Sequence, residues 1–308
     1  MGKATKANLR TGILFALPWI IGFVVFTVYP ICASMYYGFC DYDGISAAKW
    51  VGMQNYRTLF LGDPIFRKAL WNTLYMIVFA LPVGLLASLV LAFLLNLPLR
   101  GISFYRTLYY LPSITPVVAT SALWLWLLNP QIGLVNDLIS HFANLMRLLH
   151  LPAPTSPGWL IDPGYAKPAL ILMGLWGAGG GMIIYLAGLQ DVPTQLYEAA
   201  EIDGATSWGK LRHVTLPSLS PIILFNVVMG LIGSFQYFTQ VYVMTGGGPQ
   251  DATRFYALYL FESAFLRFGM GYASAMAWIL FVLTLVLTLV IFRTSARWVY
   301  YPEGEAGK

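Results

Sequence analysis

The residues that could do chemistry in this sequence are few, and the most suggestive run fails at its last position. Gly204-Ala-Thr-Ser-Trp-Gly209-Lys210-Leu211 is close to the phosphate-binding loop G-x-x-x-x-G-K-[ST]. That loop needs a final hydroxyl to hold Mg²⁺ and follows a β-strand, whereas Leu211 has no hydroxyl and residues 197–203 favour a helix. The run therefore predicts no ATP binding, and we expect no cofactor in this chain.

Other reactive residue types are scattered or badly spaced. His141, His150 and His213 lie far apart, and Cys32 and Cys40 suit neither a metal site nor a disulfide framework.

The composition is that of a membrane protein. Charged residues make up 10 % of the chain and hydrophobic residues 58 %. A soluble domain carries about 25 % charged residues, so this composition argues against a soluble enzyme, and disorder needs the opposite composition. The excess of 18 basic over 13 acidic residues suits membrane topology better than a nucleic-acid interface.

The sequence contains six long runs without charged residues, and the elements they form must position any functional groups. Each run is long enough to cross about 30 Å of hydrocarbon as a helix. They predict an all-α integral membrane protein with six transmembrane helices, whose cores lie near residues 12–36, 70–96, 106–128, 169–189, 218–243 and 272–292. The first run is too long for a secretory signal and has no Ala-x-Ala cleavage site, so we expect an uncleaved first helix.

Basic residues at the helix ends predict the orientation. Lys3, Lys6 and Arg10 place the N-terminus in the cytoplasm, and six crossings return the C-terminus to the same side. The expected divisions are 1–68 (N-terminus, first helix and first external segment), 69–293 (transmembrane domain) and 294–308 (cytoplasmic tail). Residues 190–217, here called the acidic loop, form the most polar cytoplasmic segment of that domain.

The six runs contain no Asp, Glu, Lys or Arg. Proton- or sodium-driven transporters usually place ionisable groups near the membrane midplane, and an enzyme needs a tuned acid–base pair or nucleophile. Uphill transport would therefore need energy from another chain. Neutral groups such as Asn72, Ser121, Asn226 and Ser234 could bond a hydroxyl-rich solute. Sodium could still bind backbone carbonyls, so an ion-coupled secondary transporter or channel for a small neutral solute stays an alternative.

The acidic loop has its own helix signals. Thr194 is predicted to cap a short helix that ends at Gly204, and a second helix should start near Thr206 or Ser207 and run until Pro217 begins the fifth span. Small side chains would leave one face of the first helix flat, with carboxylates around it. That face either docks on a partner or is simply solvated.

At this point the sequence resembles a known family. Glu198-Ala199-Ala200, Gly204, Val214 and Leu216-Pro217 match the spacing of the cytoplasmic Glu-Ala-Ala signature of membrane subunits of binding-protein-dependent ABC importers, with Val214 in place of the usual Ile. Four further runs are similar to the sugar and glycerol-phosphate permeases of that class: Trp50-Val-Gly-Met-Gln-Asn-Tyr56, Ala69-Leu-Trp-Asn-Thr73, Leu189-Gln190 and Met244-Thr-Gly-Gly-Gly-Pro249. The chain lacks the extra N-terminal helices and large periplasmic insertion of the best-known maltose permease subunit.

The resemblance implies a type I ABC importer permease fold in a bacterial or archaeal cytoplasmic membrane. It implies a second, different permease subunit in a heterodimer, two ATPase subunits that bind ATP and Mg²⁺, and an extracytoplasmic solute-binding protein. The residues expected to couple to the ATPase are Glu198, Ala199, Ala200, Glu201, Asp203, Gly204, Leu216 and Pro217. None is expected to be catalytic, and no metal or nucleic acid is expected.

The resemblance also implies a solute cavity on spans four and five. The matching positions are Trp176, Gly177, Gly180, Gly230, Gly233, Ser234 and Tyr237. The aromatic rings could stack on sugar rings and the hydroxyls could bond to sugar hydroxyls, although the glycines could equally be helix-packing contacts. The absence of intramembrane Arg or Lys favours a neutral sugar over a phosphate. Residues 129–168 should form an external cap with a helix near 134–149.

Overall fold

The computed structural model describes residues 3–98, 100–149, 151–152 and 154–300, and most of these residues are helical. The helices are Lys3–Phe23, Val24–Val28, Tyr29–Tyr37, Gln54–Arg57, Thr58–Gly62, Pro64–Leu95, Ile102–Ile114, Val117–Leu127, Leu134–Leu148, Pro163–Trp176, Gly179–Gln190, Thr194–Ile202, Ser207–Lys210, Leu211–Thr215, Leu216–Phe235, Thr239–Met244, Tyr256–Phe261, Glu262–Leu266 and Met270–Ser295. Four of them, Val24–Val28, Thr58–Gly62, Leu211–Thr215 and Glu262–Leu266, are π-helical turns. The strands Cys40–Asp41 and Lys49–Trp50 pair antiparallel. His150 and residues 301–308 of the predicted tail lie outside the described residues.

The described helices are consistent with six membrane spans. Four continuous stretches are long and apolar enough to cross a bilayer, and two bent helix pairs raise the count to as many as six. In chain order they are span one (Thr11–Tyr37), span two (Pro64–Leu95), span three (102–127), span four (163–190), span five (Ser207–Phe235) and span six (Met270–Ser295). Span three bends by 98° and span four by 47° at its internal break. The all-α membrane fold is thus confirmed.

Three of the predicted spans were wrong in detail. The core predicted at 169–189 is two helices, Pro163–Trp176 and Gly179–Gln190, which meet at a bend of 47°. The core predicted at 106–128 is two helices, because Pro116 has no N–H to continue the ladder and begins a new helix instead. The core predicted at 218–243 stops at Phe235, and a short helix, Thr239–Met244, follows after a break. The run Phe235-Gln-Tyr-Phe-Thr239 is rich in residues with low helix propensity, and apolarity alone does not reveal that.

The described residues form two compact units. One contains the chain up to Asp63 together with Leu260–Val282, and the other contains Pro64–Tyr259 and the chain from Leu283 onward. In the first unit, Asn55 donates from Nδ2 to the carbonyl oxygens of Gly38 and Cys40 at 3.0 and 2.9 Å. The predicted boundaries at 68 and 293 stay predictions.

The second unit has two separate apolar cores along spans two, four and five. One core lies beside the connection that follows span five, and it comprises Met76, Trp124, Leu128, Ala169, Leu170, Met173, Val241, Met244, Phe255 and Leu258. The other lies beside the acidic loop, and it comprises Ala92, Leu95, Met182, Tyr185, Leu186, Leu189 and Leu219. The stretch of each span between the two cores is therefore where a cavity can form.

Candidate functional site

The helix Thr194–Ile202, here called the loop helix, ends as predicted but does not start as predicted. Thr194 is its first residue, the capping position is Pro193, and no side chain caps it, so the predicted Thr194 cap is wrong. At the other end Gly204 takes φ = +75°, which glycine adopts without steric cost. The amide of Gly204 donates to Glu201 O at 3.0 Å and that of Ala205 to Ala200 O at 2.9 Å, the pattern of a Schellman motif.

The second helix of the acidic loop runs directly into span five. It starts at Ser207, and Thr206 Oγ1 accepts a hydrogen bond from the Gly209 amide at 3.3 Å, which confirms the predicted start. The predicted boundary at Pro217 is wrong, because one apolar helix continues to Phe235. The π turn Leu211–Thr215 widens the helix just before Pro217, where the proline ring would crowd a regular turn. Any movement of the loop is thus carried by a continuous helix.

Two contacts hold the loop helix against the first turns of span five. The hydroxyls of Tyr197 and Thr215 are 3.0 Å apart. Lys210 Nζ donates to Glu201 Oε1 at 2.5 Å, and this hydrogen bond holds the pKa of Glu201 below its usual value. Glu201 is 63 % exposed and Lys210 is 25 % exposed, so water screens this surface ion pair and its contribution to stability is small. Its geometric effect is to commit Glu201 to its own chain and to fix the direction of the loop helix.

The outward face of the loop helix carries an apolar side chain beside acidic ones. Ile202 is 87 % exposed, and Glu198 and Ala199 lie on the same side at helical spacing. Trp208, on the next helix, is 67 % exposed. Asp203 and Gly204 are also exposed, whereas Ala200, Leu216 and Pro217 are half-buried. Sequence reasoning missed Ile202 and Trp208, although an apolar residue set among carboxylates was the available signal.

A first cavity, of about 300 Å³, lies between the two apolar cores. Its walls come from spans two, four and five. The structure brings together five of the predicted cavity residues there, namely Gly177, Gly230, Gly233, Ser234 and Tyr237. Gly180 lines neither this cavity nor the next, since a Cβ on it would lie 3.4 Å from Ser113 Cβ.

A second cavity, of about 240 Å³, adjoins the first through shared walls at Gly174, Gly177 and Tyr237. Its other lining residues are Pro112, Ser113, Thr115, Val117, Thr120, Met173, Trp176 and Gln240. The breaks in span three, in span four and after span five therefore converge on one place. Non-helical backbone in a membrane is stable only where protein buries it or a water-filled cavity meets it, and transporters place their sites at such breaks. Sequence analysis missed Thr115 and Thr120, whereas Gln240 is one of the neutral polar groups that it offered to a hydroxyl-rich solute.

Several polar groups that sequence analysis offered to a solute are already committed. Asn72 donates from Nδ2 to Asp251 O at 2.8 Å and to Arg254 O at 3.1 Å, and it accepts from Lys167 Nζ at 2.9 Å. It therefore fastens the connection after span five to span two. Ser121 and Asn226 donate to carbonyls of their own helices at 2.8 and 2.9 Å.

Ser234 and the aromatic residues remain suited to a ligand. Ser234 Oγ donates to Gly230 O at 2.8 Å, which leaves its lone pairs free to accept. Tyr237 and Trp176 each pack edge-on against a neighbouring ring, Phe255 at 5.6 Å and Trp124 at 6.1 Å between centroids. Such contacts fix the rings that face the cavities.

The glycines divide between packing and cavity. A Cβ on Gly179 would lie 1.9 Å from Tyr109 O, and one on Gly188 would lie 2.1 Å from Ile222 Cδ1. Gly233, in contrast, has no atom within 4 Å of that position. Helix packing therefore depends on Gly179 and Gly188, while Gly233 leaves open space in the cavity wall.

Gly179→Ala is expected to destabilise the chain by about 1–3 kcal/mol, because the methyl group would strike backbone rather than a movable side chain. Gly174→Ala, in the same span and with nothing within 4 Å, is the matched control and should leave stability unchanged or slightly raised. Thermal melting of the purified protein in detergent, followed by size-exclusion chromatography, measures both. Equal melting temperatures for the two variants would contradict the assignment of Gly179 to packing.

Among the described residues, no group of three or more His, Cys, Asp or Glu side chains could hold a metal ion. The site therefore consists of two parts, a rigidly braced acidic loop and a pair of neutral cavities at converging helix breaks.

Comparison with known proteins gives consistent matches along the chain. The family model described as binding-protein-dependent transport system inner membrane component matches residues 80–300. The probable ABC transporter permease protein YesP of Bacillus subtilis is 40 % identical over 303 residues, which cover 97 % of this chain and 94 % of YesP. The lactose transport system permease protein LacF of Rhizobium radiobacter is 35 % identical over 303 residues, covering 95 % of this chain and 98 % of LacF.

Solved structures match equally broadly. A chain of a bacterial ABC transporter involved in the import of the acidic polysaccharide alginate superposes with a TM-score of 0.81 at 25 % identity, covering 96 % of this chain and 99 % of that one. A chain of the alginate transporter in complex with an alginate pentasaccharide-bound periplasmic protein gives 0.79 at 25 % identity, covering 95 % and 96 %.

Proposed function

Because the chain belongs to the family of binding-protein-dependent transport system inner membrane components, we propose that it forms half of the membrane pathway of an ABC importer for a neutral sugar or related polyol. It is a permease subunit rather than an enzyme. The observation that carries the proposal is the convergence of three helix breaks on neutral cavities, in a chain whose acidic loop is braced to one of those helices. The relative named for lactose transport supports a neutral sugar. The relatives named for sulfoquinovosyl glycerol and sn-glycerol-3-phosphate transport support only the wider class of sugars and polyols, because both of those solutes are anionic.

The proposed motor is a pair of separate ATPase subunits that bind ATP and Mg²⁺. The run 204–211, which nearly matches a phosphate-binding loop, contains the end of the loop helix and the capped start of the next helix. Neither feature is a phosphate-binding loop. We place the acidic loop, with both chain termini, on the cytoplasmic side, where Ile202, Glu198 and Ala199 present an apolar centre with an acidic rim. Trp208 would add a second apolar contact. Apolar anchors inside a polar rim are typical of protein docking sites.

The proposed cycle is a rigid-body transition between two states. ATP closes the ATPase pair, the acidic loops of the two permease subunits move together, and the spans rock from an inward-facing to an outward-facing arrangement. ATP can drive this change only if it binds the closed ATPase state more tightly than the open state. Since the loop helix is hydrogen-bonded to span five, its displacement reaches Ser234 through one continuous helix, and Tyr237 follows two residues after that helix ends.

The membrane partner is proposed to be a second, different permease subunit. In the most apolar window of span one no residue is buried within this chain, so that span offers exposed apolar surface to lipid and to a partner. Solute would arrive on an extracytoplasmic binding protein, as the alginate-transporter complex with its periplasmic protein suggests by similarity.

The chemistry of the cavities favours a neutral, hydroxyl-rich solute. The linings contain no Asp, Glu, Lys or Arg among the described residues, so a phosphate or carboxylate would find no countercharge. Hydroxyls of Ser234, Tyr237 and Thr120 and the amide of Gln240 can bond to sugar hydroxyls. The rings of Trp176 and Tyr237 offer apolar surfaces on which sugar rings can stack.

Co-purification from the native membrane tests the proposal. An affinity-tagged chain, extracted in mild detergent, should bring with it a second permease and an ATPase, and a binding protein should be captured when solute and non-hydrolysable nucleotide are present. Recovery of the chain without any nucleotide-hydrolysing protein, under conditions that keep a known ABC importer assembled, would overturn it. A melting-shift screen of the captured binding protein against sugars then identifies the solute.

A further inference from the structure

The helix Leu134–Leu148, here called the connecting helix, joins spans three and four and contributes neither to the acidic loop nor to the first cavity. It follows the last helical residue of span three, Leu127, by only a short turn. Within that turn the Gly133 amide donates to Asn129 O at 2.9 Å. A Cβ on Gly133 would lie 2.3 Å from the same oxygen, so the turn is tight enough to need glycine. The connecting helix therefore stays at the end of span three.

Side chains of the connecting helix fall into three arcs when they are placed at 3.6 residues per turn. One arc faces the protein and is buried or half-buried: Val135, Asn136, Ile139, Ala143 and Met146. A second arc is exposed and polar: Asp137, Ser140, His141, Asn144 and Arg147. A third arc is exposed and apolar: Leu134, Leu138, Phe142, Leu145 and Leu148. His141 lies near the border of the polar and apolar arcs.

Hydrogen bonds fix the roll of this helix, so the third arc cannot turn inward. Asn136 Nδ2 donates to Pro130 O at 3.2 Å and to Pro157 O at 3.1 Å. Trp159 Nε1 donates to Asn136 Oδ1 at 2.8 Å. The buried side is thereby tied to the loops before and after the helix. The apolar arc, with exposed fractions from 46 % to 75 %, must meet something outside this chain.

Three arcs match three surroundings, namely protein, water and hydrocarbon. A helix that met only protein and water would need one apolar arc, and this helix has a second. The second helix of span three, which ends a short turn before the connecting helix, also exposes apolar side chains, with Leu123 at 41 % and Trp126 at 50 %. A binding protein that docks and leaves would expose the arc to water in every cycle, whereas lipid is always present beside a membrane span. Trp126 and Tyr165 also suit the membrane–water boundary.

We propose that the connecting helix lies in the membrane–water interface, with its apolar arc in the phospholipid acyl chains and its polar arc in water. In this position it holds the adjacent ends of spans three and four at a fixed depth. Those two spans carry two of the breaks that line the second cavity. The inference concerns a lipid contact and does not depend on the solute or on the ATPase.

Spin-label accessibility tests the proposal on the complete transporter in vesicles of phosphatidylethanolamine and phosphatidylglycerol. Cys32 and Cys40 are first replaced by serine, and a nitroxide is placed on Phe142→Cys or on Asn144→Cys. These positions share one helical turn but lie on different arcs. We expect the label at 142 to collide mainly with oxygen, which partitions into lipid, and the label at 144 to collide mainly with a water-soluble nickel chelate. The ratio of the two collision rates should differ several-fold between them.

Two results would overturn the proposal. Equal, high accessibility to the nickel chelate at both positions would place the whole exposed surface in water. Low accessibility to both reagents at 142 would show that protein covers the arc, and repeating the measurement with and without binding protein would then identify which partner does so. Leu145→Cys, on the same arc, gives a second reading if Phe142→Cys does not assemble.

Discussion

Ile202→Asp is expected to lower binding-protein-stimulated ATP hydrolysis by the whole transporter about 30-fold, with the loss of uptake that follows. Ile202 is 87 % exposed on the outward face of the loop helix, so the chain itself loses no packing when the side chain changes. The Ile202 side chain would instead contribute binding free energy through a contact with the ATPase from which water is excluded. Loss of such an anchor costs about 2 kcal/mol or more, which corresponds to roughly 30-fold in affinity. The measurement is ATP turnover in proteoliposomes with and without binding protein and solute.

Ile202→Val keeps an apolar side chain at the same position and is the matched control, which should retain most of the stimulated hydrolysis. Unchanged stimulation in Ile202→Asp would contradict the docking role of this face.

Gly204→Pro is expected to lower the stimulated ATP hydrolysis as strongly, for a different reason. Proline is locked near φ = −65°, whereas Gly204 has φ = +75°. In that variant the backbone turn that ends the loop helix is disrupted, while the side chain of Ile202 is unchanged.

Gly233→Leu is expected to abolish solute uptake while the chain still assembles with its partners. Gly233 lines the first cavity, and no atom lies within 4 Å of the position of an added Cβ. A leucine side chain would therefore occupy cavity space without displacing protein. ATP hydrolysis stimulated by the binding protein should persist, because the acidic loop is untouched. Uptake of labelled solute and ATP turnover, measured on the same proteoliposomes, separate the two effects.

Gly22→Leu in span one is the control for adding a leucine at an open glycine, since it too has no atom within 4 Å of an added Cβ and lines neither cavity. It should transport normally. Normal uptake by Gly233→Leu would mean that the solute does not pass through the first cavity. If Gly233→Leu did not assemble with its partners, Gly233 would be assigned to helix packing rather than to the cavity wall.

The sequence predicted what depends on composition and local chemistry. Charge-free runs gave the membrane spans because the cost of burying charge in hydrocarbon leaves a clear pattern. Gly204 was placed correctly at a helix end because a left-handed backbone there selects glycine. The start of the next helix near Thr206 or Ser207 was also predicted correctly, and it is fixed by a local contact, the hydrogen bond from the Gly209 amide to Thr206.

Features that depend on contacts between distant segments could not be obtained in this way. An apolar run looks the same whether the helix is continuous or broken, so the bend at Pro116, the break between Trp176 and Gly179 and the break after Phe235 were missed. Asn72 looked like a solute ligand because its three partners lie 95 to 182 residues away. Glycines at 177 and 179 are indistinguishable in sequence, yet Gly179 alone meets the Tyr109 backbone.

The source of energy is the central claim, and transport in reconstituted vesicles tests it most directly. Vesicles containing this chain, its permease partner, the ATPase and the binding protein should accumulate sugar when ATP is supplied to the ATPase side, and no proton or sodium gradient should replace ATP. The same vesicles prepared without the ATPase should accumulate nothing. Uphill uptake driven by an ion gradient in those ATPase-free vesicles would contradict the claim and favour a secondary transporter instead.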